Sequence, residues 1–145
     1  MTAPAATIAA ATTTARTAPR GRGARIALRT VQVLLAVFFG VASGVPKLIA
    51  HPTAVESFDK LGWGAPGMYT IGALELLGGI ALLIPLLSSV AATAFIGLMI
   101  GAFIVTLTSF GGENAATPLV VILPLAWIAW ARRDETTKLI ARLRG

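Results

Sequence analysis

Four apolar stretches dominate this chain, at about 26–50, 67–87, 90–110 and 116–131, separated by short breaks rich in glycine, proline or charge. Crossing the roughly 30 Å hydrocarbon core of a bilayer takes about 20 helical residues. The first three stretches have that length. The fourth, at about 16 residues, is short for a full crossing, so its ends must lie in the interface or the bilayer must thin. The remaining residues could not keep such stretches in water: 56% of the 145 residues are apolar and 12% are charged, against roughly 45–50% and 25% in soluble domains. A small fold buries only about two-thirds of what its unfolded chain exposes. A soluble globular enzyme is therefore excluded. The expected fold is all-α, an integral membrane four-helix bundle.

The charge pattern orients that bundle. Of the 12 Lys and Arg residues, five lie between Arg16 and Arg29 and five between Arg132 and Arg144. Basic flanks on an apolar middle are topology signals and anionic-lipid contacts rather than a nucleic-acid surface. Trp127 and Trp130 directly before Arg132 and Arg133 mark a headgroup zone. Four spans put both termini on one side, and the basic tails assign that side to the cytoplasm. Residues 1–25, rich in Ala and Thr and ending in a basic run, are expected to be a disordered cytoplasmic tail. Residues 133–145 read as a basic cytoplasmic segment. A leader of this length before so long an apolar stretch is expected to stay as a span rather than be cleaved as a signal peptide.

Between the first two spans, Pro52 can open a helix and Gly62 can end it. Val55, Phe58 and Leu61 recur at helical spacing, and Glu56 with Lys60 forms an i, i+4 pair. This predicts a short amphipathic helix in the first extracytoplasmic loop. His51, Glu56 and Asp59 share no helix face, so no metal site is expected.

The faces of the spans carry more information. In the first, Ala36, Gly40, Ser43, Gly44 and Lys47 recur at three- and four-residue steps and share one face. In the second, Met68, Gly72, Glu75, Gly79 and Leu82 do the same. In the third, Gly97 and Gly101 continue the pattern with Thr93, Ile104 and Thr108. Such stripes let helix backbones approach closely, which predicts helix packing through Gly40, Gly44, Gly72, Gly79, Gly97 and Gly101.

Glu75 lies ~12 Å into its span and Lys47 ~5 Å from the same outer surface, at 1.5 Å per residue. A carboxylate at that depth is costly against lipid and should face a partner inside the bundle. Side chains lean toward the N-terminus of their own helix. The two spans run in opposite directions, so Lys47 and Glu75 lean toward each other and close a gap of ~7 Å. A buried or half-buried Lys47–Glu75 pair is predicted, direct or through water. It can fix helix register, or it can bind a polar ligand or relay a proton. Trp63 and Tyr69 could stack on a flat ligand or anchor the interface.

There is no cysteine, which excludes disulfides, thiolate metal sites and covalent haem. No histidine lies in a span to serve as a base, so no nucleophile triad is expected and no catalytic residue is assigned.

The segments Gly40-Val-Ala-Ser-Gly-Val-Pro-Lys-Leu48, Phe58-Asp-Lys-Leu-Gly62 and Gly72-Ala-Leu-Glu-Leu-Leu-Gly-Gly-Ile80, leading to Leu82-Leu-Ile-Pro85, occur in a fixed order. In this the sequence resembles the DoxX family of small bacterial membrane proteins, from about Val31 to Arg132. Gly44, Lys47, Gly62, Glu75 and Gly79 match the family pattern. The resemblance implies a four-helix bundle in the bacterial inner membrane. It also implies a link to quinol oxidation with sulfur compounds, or to thiol-redox complexes with soluble partners.

Three functions stay open on this reading. The leading one is a non-catalytic accessory or organising subunit of a redox-linked membrane complex, contacting membrane lipids and a soluble or membrane redox partner. The second is an oxidoreductase subunit that binds quinone or quinol, with Glu75 as proton relay. The third is a small-solute carrier, which would have to work as a homodimer to enclose a pathway. No covalently bound cofactor is expected, and quinone is the candidate ligand.

Overall fold

The computed structural model describes residues 21–145. Most of the tail assigned to residues 1–25 lies outside them. Its last residues do not match that assignment, because the first helix, α1, already starts at Arg22 and runs to Leu48. Arginine is a good helix former, so the basic run extends the apolar helix instead of ending before it. The helix stops short of residue 50 because Ala50 adopts a positive φ of 52° and Pro52 follows.

Helix α2, Pro52–Lys60, is the amphipathic loop helix. Its N-cap is His51, whose Nδ1 accepts a hydrogen bond from the Thr53 N–H at 3.4 Å. Phe58 is buried, and the exposed Glu56–Lys60 pair closes at 3.0 Å. Gly62, at φ +71°, turns the chain into α3, Gly64–Leu83. That helix ends four residues earlier than the apolar run suggests. Pro85 forces the residue before it out of helical geometry, and Ile84 is extended at φ −86°, ψ 115°.

Helix α4 follows as Ser88–Ser109, α5 as Ala116–Ala131 and α6 as Arg133–Arg144. Among the described residues α1, α3 and α4 are long and apolar enough to cross a membrane. Helix α5 has 16 residues, or ~24 Å of helix, and contains Pro124. Helix α6 carries Asp134 and Glu135 in its first turn and Arg142 and Arg144 in its last, the order that complements the helix dipole.

The protein is all-α among its described residues, with an architecture suited to a membrane. Successive long helices alternate in direction. The start of α1 and the end of α5 therefore share one end of the bundle, and α2 lies at the other. The arginine-rich end is solid: Leu35, Phe39, Leu82, Ala92, Phe95 and Ile128 form one buried cluster. Phe39 stacks on Phe95 at 3.9 Å between ring centroids, and Gly78 makes room for the Phe95 ring on α3. The α2 end is different, because the same helices line a partly open cavity there.

Candidate functional site

Within α1 the turns from Phe38 to Gly44 are π-helical. Pro46 supplies a reason. It lacks an N–H and its ring crowds the carbonyl four residues back, and a widened turn just ahead of it relieves both problems. Such widened turns concentrate at functional sites. Here the turn presents two faces. Gly40 and Gly44 meet α3, while Ser43 and Lys47 turn toward Glu75.

The helices α1 and α3 touch at backbone distance. A Cβ added to Gly72 would lie 2.9 Å from the Lys47 Cβ and 3.1 Å from the Gly44 oxygen, and one added to Gly79 would lie 2.9 Å from the Ala36 oxygen. A Cβ on Gly44 would lie 3.1 Å from the Gly72 oxygen, and one on Gly40 would touch Leu76 at an ordinary 3.7 Å. Gly97 and Gly101 do not share this role. A Cβ on either meets nothing within 4 Å, which corrects the expectation that they pack helices. Helix α4 meets α3 through Phe95. Gly97 is two residues, about 200°, further round the helix, and faces open space.

The close approach of α1 and α3 brings the two span charges together. Lys47 Nζ lies 2.7 Å from Glu75 Oε2. It also donates to Ser43 Oγ at 2.8 Å and to the Ser43 carbonyl at 2.9 Å. The Ser43 hydroxyl donates in turn to Glu75 Oε1 at 2.9 Å. The side chains of Lys47 and Glu75 are 17% and 5% exposed, so this closed ring is largely withdrawn from solvent. Ser43 was visible in the sequence as a member of a small-residue stripe. Its hydrogen bond to Glu75 joins residues 32 apart, which the spacing does not reveal.

Ser43, Lys47 and Glu75 lie in the wall of a cavity of about 440 Å³. The rest of the wall is nearly all apolar: Phe38 and Phe39 from α1, Phe58 from α2, Ile71 from α3, Leu98 and Val105 from α4, and Pro118 and Val121 from α5. Gly97 and Gly101 give it width, and Trp63 stands at its edge, half exposed. Tyr69 is exposed and lies outside this wall, so it cannot stack on a ligand held there. On α3 the cavity face is set by Ile71 and Glu75, and Tyr69 is about 200° away from Ile71. A pocket of about 300–1,000 Å³, mostly apolar with a few converging polar groups, is the usual form of a small-molecule site.

The family model of the DoxX-like family matches residues 30–131. The chain belongs to the DoxX-like family. No curated protein and no solved structure matches it.

This DoxX-like bundle has a second buried polar cluster, at its arginine-rich end, that no sequence pattern announces. Gln32 is fully buried and donates from Nε2 to the Leu82 carbonyl at 2.8 Å. Arg29 donates to the Leu83 carbonyl at 2.8 Å, and Arg132 donates from Nη2 to Gln32 Oε1 at 2.9 Å. The last carbonyls of a helix have no donor within it, so α1 supplies donors for the end of α3. Gln32 and Arg132 are 100 residues apart, and no local pattern joins them. Gln32→Ala leaves the Leu82 carbonyl buried without this donor. It is expected to lower stability by about 1–3 kcal/mol in thermal unfolding of the detergent-solubilised protein, and an unchanged midpoint would contradict this capping role.

Proposed function

We propose that this DoxX-like protein is a non-catalytic subunit of a redox-linked membrane complex, and that its cavity holds a lipophilic small molecule of the quinone or quinol class. The observation that carries this reading is the cavity: apolar walls sized for a small molecule and one charged cluster, Lys47–Ser43–Glu75, in its wall. A ligand with an apolar body and a polar head fits that division. The Glu75 carboxylate borders the cavity and Ser43 links it to Lys47, which supports a polar contact with such a head.

The membrane is the bacterial inner membrane on this reading, with both termini cytoplasmic. Arg22, Arg25, Arg29, Arg132 and Arg133 gather at one end of the bundle, which the positive-inside rule assigns to the cytoplasm. The cavity then belongs to the outer half of the membrane, beneath α2. A redox partner that exchanges ligand with it would do so from that side or through the outer leaflet.

Filling the cavity tests the proposal. Gly101→Leu places a side chain in open space and removes a helix-interior glycine, a gain of about 0.5–1 kcal/mol. The variant is expected to fold at least as stably as the parent. It should lose the thermal stabilisation that a short-chain quinone or quinol gives the parent protein in detergent. Equal stabilisation of parent and variant, or none of either, would end the proposal.

A further inference from the structure

The polar cluster is complete on its donor side and open on its acceptor side. A lysine ammonium has three protons. Those of Lys47 go to Glu75 Oε2, Ser43 Oγ and the Ser43 carbonyl. The Ser43 hydroxyl proton goes to Glu75 Oε1. A carboxylate offers about four lone-pair positions, and these contacts occupy two of them.

We infer that the head of the ligand is a neutral hydrogen-bond donor, a phenol or alcohol hydroxyl, received by the Glu75 carboxylate. This rests on the reading that the cavity holds a lipophilic ligand, and it names the chemistry at the polar end. A hydroxyl bonds to Glu75 without breaking any existing contact. A ketone or ether can only accept, so it must take a proton of Lys47 or Ser43 away from an existing acceptor, most cheaply one of the two that Lys47 gives to neutral Ser43 oxygens. An anionic head meets the Glu75 carboxylate, and a cationic head meets the Lys47 ammonium 2.7 Å from that carboxylate. A bond to an ionised acceptor is stronger than a neutral one, and largely apolar surroundings strengthen it further. Within the quinone class the reduced, hydroxyl-bearing form is the preferred occupant.

The test uses 4-heptylphenol and its methyl ether, which share one apolar body and differ in the donor. Each is titrated calorimetrically into the full-length protein in a maltoside detergent, with Gly101→Leu as the filled-cavity control that subtracts micelle partitioning. The phenol is expected to bind about tenfold more tightly than the ether. Ser43→Ala keeps the ion pair and releases a Lys47 proton, so the ether should gain and the ratio should fall severalfold. Equal binding of the two probes to the parent overturns the donor assignment and leaves the cavity reading standing. Binding of neither above the Gly101→Leu background overturns both. A ratio unchanged in Ser43→Ala also overturns the assignment, since the Lys47 protons would then not govern selection.

Discussion

Lys47→Met is expected to destabilise the bundle by about 3–5 kcal/mol, because it leaves the Glu75 carboxylate buried without its cation. Glu75→Leu should cost a similar amount by stranding the ammonium. Both side chains are well withdrawn from solvent, at 17% and 5% exposure, so screening does not erase the effect as it does for a surface pair. The double variant Lys47→Met with Glu75→Leu should recover most of the loss, since an apolar pair of similar volume removes two desolvation penalties at once. Thermal or denaturant unfolding in detergent measures all three. Single substitutions that each cost less than about 1 kcal/mol would show that the pair is not a buried one. The double variant also separates structure from function. If it folds well yet no longer binds the cavity ligand, the charges serve the ligand beyond holding helix register.

The second large effect contrasts glycines that look alike in the sequence. Gly79→Leu drives a side chain into the backbone of α1, where even a Cβ would lie 2.9 Å from the Ala36 oxygen and 3.2 Å from the Gly40 nitrogen. Neither atom can move without moving a helix. A loss of about 3 kcal/mol or more is expected, at the upper end of overpacking costs. Gly72→Leu should behave likewise against Gly44 and Lys47. Gly97→Ala should do the opposite and raise stability by about 0.5–1 kcal/mol, because nothing opposes its Cβ. Unfolding midpoints of the purified variants report the sign directly. Equal losses at Gly79 and Gly97 would mean that α4 packs on a surface the cavity now occupies.

Depth and direction along a helix are local quantities, and they account for what could be read from residues alone. The apolar runs announce membrane helices because no soluble fold of this size could hide them. Lys47 and Glu75 could be paired on paper because 1.5 Å per residue gives their depths, and antiparallel spans set their lean. Proline and positive-φ positions displaced the helix ends by a few residues, since backbone restrictions outrank hydropathy at a boundary.

Spatial partnership is not local, and it needed the folded chain. Gly40-x-x-x-Gly44 and Gly97-x-x-x-Gly101 are the same pattern, yet one lies against α3 and the other faces a void. Which face of a helix finds a neighbour depends on how every other helix is placed. The same holds for the Ser43–Glu75 hydrogen bond, and for Gln32 and Arg132, joined across 100 residues. The cavity is the clearest case. It is the space left where large side chains from five helices stop short of one another, and empty volume has no residue of its own to carry a signal.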